Sequence, residues 1–196
     1  MIKAVIFDLN GVFLESQFLS ERFENQFKIR SDQFVSALKQ IMGIVRRPLA
    51  PSTFSLWQPY LQEWNVNLSE TEFFDFWFSG EKLVPELVNY AQALRDRRVK
   101  VFILSNNFKE RTEYYRKNFP EIFACVDKAY FSWETGFIKP SQEALNLVLS
   151  ENNLQPQNCL YFDDSDANIE VAKDLGIKAA KWSGLEQAKK FIKTSI

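Results

Sequence analysis

Carboxylate, amide and hydroxyl side chains follow three short apolar segments of the chain, at the point where each segment ends. They are Asp8 and Asn10 after residues 4–7, Ser105 and Asn106 after residues 99–104, and Asp163 and Asp164 after residues 158–162. Three aspartates brought together repel each other unless a cation lies among them. Hard carboxylate oxygens with open positions suit Mg²⁺. A lysine, Lys139, precedes Pro140, which favours extended backbone at the lysine.

The elements that must position these side chains are buried strands and the helices between them. Segments 4–7, 99–104 and 158–162 are continuous apolar runs that predict strands, and segment 178–182 is a weaker fourth. Helical periodicity follows Pro85 and Ser141 and stops before Gly176. This alternation predicts an α/β fold with a mostly parallel, Rossmann-like sheet. Ligands of such sheets bind beyond the carboxyl ends of the strands, where the polar residues are expected to meet.

Residues 15–80 do not follow this alternation of strands and helices. They predict an all-helical insertion, the cap, after the first strand. The core is then residues 1–14 and 81–196. Ser69 and Glu72 form a capping-box pattern, Pro59 is expected to kink or shift its helix, and residues 46–51 resemble a loop. The aromatic residues of this segment lie mostly at helical spacing, which favours a helix-bundle core, although a few could line a pocket. Arg46 and Arg47 could contact an anionic substrate, but paired arginines in loops are more often solvated.

Composition narrows the chemistry. The 196 residues include 19 Phe and no His, which excludes serine–histidine triads, cysteine–histidine pairs and imidazole metal sites. A net charge of −1 gives no basic field for nucleic acid or an anionic membrane. Cys125 and Cys159 are too few for a disulfide framework and are expected as buried, reduced side chains. With no long apolar segment, the sequence predicts a cytoplasmic protein without a nucleic-acid or membrane partner.

Four motifs in this order resemble the haloacid dehalogenase-like (HAD) hydrolase superfamily, over essentially the whole chain. They are FDLNGV at 7–12, LSN at 104–106, KP at 139–140 and FDDS at 162–165. The resemblance is to members with a helical cap, including small sugar-phosphate phosphatases, and implies a mobile cap closing over the site. It implies that Asp8 attacks phosphorus and becomes an aspartyl phosphate, and that Lys139 neutralises the phosphoryl oxygens and orients Asp8.

The same resemblance assigns the remaining site residues. Ser105 would hydrogen-bond the phosphoryl oxygens, with Asn106 beside it as a further substrate-binding candidate. Asp164 would bind Mg²⁺ directly, Asp163 would be a ligand or support one, and Asn10 would offer its backbone carbonyl. From the residues alone, Asp163 and Asp164 could instead cap the following helix.

One position departs from the pattern. The phosphatases of this superfamily have a second aspartate two residues after the nucleophile, as general acid and base, and this chain has Asn10. An amide neither protonates a leaving group nor deprotonates water, and such help contributes about 10²–10⁴-fold in rate. Asn10 is therefore expected to spare metal and phosphate binding while slowing turnover.

Three functions are compatible with these residues. The first is a Mg²⁺-dependent phosphohydrolase of a small phosphorylated metabolite, slowed by Asn10. The second is a binder of a phosphorylated ligand that turns it over negligibly, which Asn10 alone favours. The third is a 2-haloacid dehalogenase, which uses the same nucleophile without metal. The paired carboxylates Asp163 and Asp164 argue against this third function, and the sequence does not set the oligomeric state.

Overall fold

The structure is a computed structural model that describes residues 1–195. Its strands are β1 Ala4–Phe7, β2 Leu14–Ser16, β3 Glu81–Leu83, β4 Lys100–Ser105, β5 Lys128–Phe131, β6 Cys159–Asp163 and β7 Lys178–Lys181. Its helices are α1 Leu19–Phe27, α2 Ser31–Val45, α3 Thr53–Glu63, α4 Glu70–Phe78, α5 Pro85–Asp96, α6 Lys109–Asn118, α7 Pro120–Ala124, α8 Ser132–Thr135, α9 Gln142–Glu151, α10 Asp166–Asp174 and α11 Leu185–Ser195. Residues Pro156–Asn158 form a 3₁₀ turn before β6.

Five strands form a parallel sheet in the order β5-β4-β1-β6-β7. The predicted α/β fold is confirmed, and the four predicted strands lie within one residue of β1, β4, β6 and β7. Both faces of β1 are buried: Val5 and Phe7 pack into one apolar layer, and Ala4 and Ile6 into the other. This two-sided burial explains why β1 is a continuous apolar run rather than an alternating one.

The central position of β1 sets the geometry of the site. Phe7 is in register with Ile103 of β4 on one side and with Phe162 of β6 on the other. Asp8, which follows β1, is therefore brought beside the ends of β4 and β6.

Helices α1–α4 lie between β2 and β3, which pair as a two-stranded antiparallel ladder. They enclose a separate apolar cluster that contains many of the aromatic residues and also Phe108, just before α6. The capping box at the start of α4 is confirmed, since Ser69 accepts from the Glu72 N–H and Glu72 accepts from the Ser69 N–H.

Proline does not interrupt α3, which runs unbroken from Thr53 to Glu63 with Pro59 inside it. The proline nitrogen has no hydrogen to donate, so the helix lacks one backbone hydrogen bond at that position. No helix in the described part of the chain is long and apolar enough to cross a membrane.

Candidate active site

Asp8, Lys139 and Asp163 form a buried cluster at the carboxyl ends of β1 and β6. The Lys139 ammonium lies 2.6 Å from Oδ2 of Asp163 and 3.0 Å from Oδ1 of Asp8. Only 5% of the lysine side chain is exposed, so both ion pairs are largely shielded from water. Interactions between charges are much stronger in such an environment than at the surface.

Asp163 is surrounded by donors. Its Oδ2 accepts from Lys139 Nζ and from the Tyr161 hydroxyl, and its Oδ1 accepts from the Ser165 N–H at 2.9 Å and from Asn168 Nδ2 at 2.8 Å. Burial by itself would raise the pKa of Asp163, but the Lys139 charge and these hydrogen bonds outweigh it and hold the pKa below its ordinary value. Asp163 therefore stays ionised and fixes the lysine.

Asp8 has a different electrostatic environment. Burial raises its pKa, and the negative charge of Asp163 acts in the same direction, while Lys139 opposes them. Burial would lower the pKa of Lys139, but the two carboxylates outweigh it and raise that pKa. The described hydrogen bond and ion pair of Asp8, from the Leu9 N–H at 2.7 Å and from Lys139, both involve Oδ1. Its Oδ2 is the oxygen left for a reacting partner.

A divalent cation fits beside this cluster. Asp8, Asp163 and Asp164 each present one carboxylate oxygen, and these three oxygens lie within 4.8 Å of one another. Gly11, at φ +81°, lets the backbone approach closely: a Cβ at this position would be 2.9 Å from Oδ2 of Asp164. Burial and the Asp163 charge raise the pKa of Asp164, and Lys139 opposes them. An all-oxygen donor set of this kind suits Mg²⁺.

Ser105 and Asn106 lie at the end of β4, next to β1. Ser105 is 2% exposed. Asn106 is engaged with the backbone of Lys139: its Nδ2 donates to the Lys139 carbonyl at 2.7 Å, and its Oδ1 accepts from the Lys139 N–H at 2.8 Å. The structure therefore brings Asn106 to the site as a residue that holds the lysine in place.

Asn10 is held by two side chains from the β4–α6 region. Its Oδ1 accepts from Asn107 Nδ2 at 3.2 Å, and its Nδ2 donates to the Tyr115 hydroxyl at 2.7 Å. Burial raises the pKa of Tyr115 far above its ordinary value, so the hydroxyl remains neutral. The amide at position 10 thus has a partner for both its oxygen and its nitrogen.

Sequence reasoning missed several of these supporting residues. Tyr161 had a usable signal, because it is two residues before Asp163 on the same strand and so shares its face. Asn107 directly follows Ser105 and Asn106, which the sequence predicts as substrate-binding residues. Tyr115 lies in α6 and had no local signal, since its contact with Asn10 exists only in the folded chain.

A family model described as haloacid dehalogenase-like hydrolase matches residues 2–176. Among solved structures, a HAD family enzyme of Bacteroides thetaiotaomicron, in complex with magnesium and inorganic phosphate, has a TM-score of 0.80 at 20% identity, covering 97% of this chain and 100% of that one. The L-2-haloacid dehalogenase of Xanthobacter autotrophicus has a TM-score of 0.66 at 20% identity, covering 98% and 83%. At these identities, the likenesses establish a shared fold.

A curated D-ribitol-5-phosphate phosphatase of Bacteroides thetaiotaomicron is 33% identical over 52 residues, which are 26% of this chain and 25% of that protein. The matched part of the chain spans only 25–35% of the length of the first curated relatives. The family model, in contrast, covers most of the chain. On that match, the chain belongs to the haloacid dehalogenase-like hydrolase family.

Proposed function

We propose that this protein is a Mg²⁺-dependent phosphohydrolase of a small phosphorylated metabolite. The observation that carries the proposal is the buried ammonium of Lys139 between Asp8 and Asp163, beside three carboxylate oxygens within 4.8 Å of one another. Phosphoryl transfer requires mainly positioning and charge neutralisation, and this cluster offers both. The similarity to a ribitol phosphate phosphatase supports a small phosphate ester as the substrate class.

In the proposed reaction, Oδ2 of Asp8 attacks the phosphorus atom and the bond to the ester oxygen breaks. The products are an aspartyl phosphate and the alcohol, whose oxygen takes a proton from water. Water then attacks the phosphorus of the aspartyl phosphate, which releases inorganic phosphate and regenerates the Asp8 carboxylate. Lys139 and the Ser105 hydroxyl neutralise and bind the phosphoryl oxygens during both steps.

Asp8, Asp164 and the backbone carbonyl of Asn10 are the proposed ligands of Mg²⁺, with Asp163 as a ligand or as the residue that fixes Lys139. A bound Mg²⁺ would supply charge neutralisation at the phosphoryl oxygens. Helices α1–α4, within residues 15–80, would act as a cap over the site on the core of residues 1–14 and 81–196. A cytoplasmic location stays a prediction from the sequence.

Asn10 sets the expected rate. It provides no acid for the departing alcohol and no base for the attacking water, and the chain has no histidine to replace it. We infer a slow enzyme whose aspartyl phosphate accumulates, because the second step depends most on a base. The same residue favours the second candidate function, a phospho-ligand binder with negligible turnover.

The experiment is a phosphate-release assay on a panel of sugar and polyol phosphates and p-nitrophenyl phosphate, with and without Mg²⁺. We expect Mg²⁺-dependent release that Asp8→Asn abolishes, while Asp166→Asn, at an exposed aspartate of α10, serves as the matched control. Release that survives Asp8→Asn would contradict the nucleophile assignment.

Asn10→Asp tests the reason for the slow rate. An acid at position 10 is expected to raise turnover by about 10²–10⁴-fold and to remove the phosphorylated species seen by intact-mass measurement. Wild-type protein that releases no phosphate, together with a large gain in Asn10→Asp, would favour the binder. Fluoride release from fluoroacetate would instead indicate a dehalogenase.

A further inference from the structure

Arg46, directly after α2 in the cap, has an unusual environment for an arginine. Its Nε is buried and has no hydrogen-bond partner among the described residues. Arg111, an arginine near it, pairs instead with the buried carboxylate of Glu81. Among residues 1–195, no carboxylate lies within ion-pair distance of Arg46. A partly buried guanidinium without an anion is costly, so such a position favours binding of an external anion.

Arg46 also lines a cavity of about 410 Å³ between the cap and the core. Lys39 and Arg47 line the same cavity, and none of its lining residues is acidic. Neither Lys39 nor Arg47 forms an ion pair within the described chain. The wall that the cap contributes is therefore positively charged and has no internal counter-charge.

One residue of the cavity wall connects it to the catalytic cluster along the chain. Ile138, which lines it, immediately precedes Lys139 in the chain. Burial and the Arg111 charge lower the pKa of Arg46, and the Asp8 carboxylate opposes them. A substrate bound with its phosphoryl group at Asp8 and its body in this cavity would contact Arg46.

We propose that the substrate carries a second anionic group, a carboxylate or a second phosphate, and that Arg46 binds it. The inference rests on the proposed phosphohydrolase function and specifies its substrate class. A substrate with an uncharged body would leave the partly buried guanidinium unpaired, whereas an anionic body would give it a charge-assisted hydrogen bond. Lys39 and Arg47 would add a weaker attraction, because both are exposed to water.

The test compares two esters that differ only at the end far from the phosphate. Ribitol 5-phosphate ends in a hydroxymethyl group, and ribonate 5-phosphate ends in a carboxylate. We expect the wild-type protein to favour ribonate 5-phosphate by about 10- to 100-fold in kcat/KM, which corresponds to one charge-assisted hydrogen bond. A second pair, ribose 5-phosphate and ribose 1,5-bisphosphate, distinguishes a second phosphate from a carboxylate as the preferred group.

In the pair for which the wild type shows the larger preference, Arg46→Met should reduce the ratio of the two kcat/KM values to within about threefold of one, because the charged partner is gone. Arg46→Lys should keep part of the preference, and its result stands if the methionine variant fails to fold. Arg30→Met is the matched control, because Arg30 and Arg46 directly precede and follow α2 and the Arg30 side chain is 77% exposed. The control should keep the wild-type ratio.

Calorimetric binding of the same ligands with Mg²⁺ tests the Arg46 site separately from the phosphohydrolase function. Preferential binding of an anionic-bodied ester that Arg46→Met removes, without any phosphate release, would support the Arg46 site and contradict the phosphohydrolase. Phosphate release without an anionic preference would support the phosphohydrolase and overturn the Arg46 site. A wild-type ratio near one in both pairs, a ratio that Arg46→Met leaves intact, or no detectable binding of any ester would each overturn the inference.

Discussion

The strand-end site of the core (Asp8, Lys139, Asp163 and Asp164) is buried except for Asp164, and the aromatic cluster of the cap (Phe23, Phe34, Trp57, Phe73 and Trp77) is buried throughout. The two regions are held by different forces. In the site, one ammonium lies 2.6 and 3.0 Å from two carboxylates. In the cap, aromatic rings pack at centroid distances such as 4.4 Å for Phe23–Phe34 and 4.9 Å for Phe34–Trp57.

The difference lies in how each region responds to the loss of one group. Ring packing is non-directional and spread over many contacts, so its cost follows the volume removed. A buried ion pair is directional, and removal of one partner leaves the other charge without compensation. We therefore expect the site to be intolerant of chemically small changes that the cap cluster would accept.

The largest effect is expected from Lys139→Met. This change leaves Asp8 and Asp163 buried together without their cation, and it should lower the free energy of unfolding at pH 7 by about 3–5 kcal/mol. Turnover should fall by about 10²–10³-fold or more. Denaturant unfolding and phosphate release measure the two effects. The matched control is Lys128→Met, which breaks a 2.6 Å pair with Glu151 at the surface and should change neither measurement detectably.

The pH dependence of that variant has a definite sign. In the wild type, the pKa of Asp163 is lowered from 3.8, so its contribution to stability is present above pH 3.8 and is lost as the pH falls through the lowered value. Without Lys139, charged carboxylates are disfavoured, and their protonation stabilises the folded variant. The stability difference between wild type and variant should shrink from pH 7 to pH 4, and a constant difference would contradict the ion-pair account.

Trp57→Ala measures the packing of the cap. Trp57 is fully buried and stacks on Phe34, and its loss should cost about 3–5 kcal/mol. Trp57→Phe is the informative partner, because it keeps most of the ring packing and also removes an indole N–H that has no partner in the described chain. We expect it to cost under about 1.5 kcal/mol in denaturant unfolding. Equal costs for the two variants would contradict the expectation that the cost follows the ring volume removed.

Glu110→Gln tests the contact between the two regions. Glu110 of α6 accepts from the backbone N–H and the hydroxyl of Thr53, both at 2.8 Å. A core side chain therefore stabilises the N-terminus of α3, a helix of the cap. Loss of its charge should cost about 1–2 kcal/mol and speed hydrogen exchange at the Thr53 amide. Glu113→Gln, at an exposed position one turn later, should cost under about 0.5 kcal/mol. An unchanged hydrogen-exchange rate at the Thr53 amide would show that this contact does not hold α3 against the core.

The smallest effect is expected at the surface of the cap. Hydrogen bonds from Ser69 lower the pKa of Glu72, as the Lys139 pair and its neighbours lower that of Asp163, but Glu72 is exposed. Its contribution is present above the ordinary pKa of 4.5 and is lost as the pH falls through the lowered value. The melting temperature of Glu72→Gln should therefore lie slightly below that of the wild type at pH 7 and match it near pH 3. A difference of the size seen for Lys139→Met would refute the contrast between the regions.

Sequence patterns predicted the parts of the fold that depend on local periodicity. Continuous apolar runs identified β1, β4 and β6, and hence the positions of Asp8, Ser105 and Asp163. Strand β5 was missed because Lys128–Phe131 is a short edge strand with a charged first residue and no polar motif after it. Helix α6 was missed because its ten residues have a strongly polar average and a weak apolar stripe.

The missing parts of the site are those that only tertiary contacts create. Nothing near Tyr115 in the sequence indicates that its hydroxyl contacts Asn10. Similarly, the sequence allows Arg46 and Arg47 to contact an anion, but it favours a solvated loop for both. The burial of Arg46 Nε depends on how the cap packs against the core.

The central position of β1 has a consequence for the order of folding. Ala4 pairs with Lys100 on one side and with Cys159 on the other, so β1 is completed by partners far along the chain. The cap helices, in contrast, are contiguous and contact one another locally. Local contacts form faster than distant ones, since they close shorter loops. During synthesis the aromatic cap is therefore able to form before β6 has emerged from the ribosome, and the Asp8–Lys139–Asp163 cluster is assembled only after that.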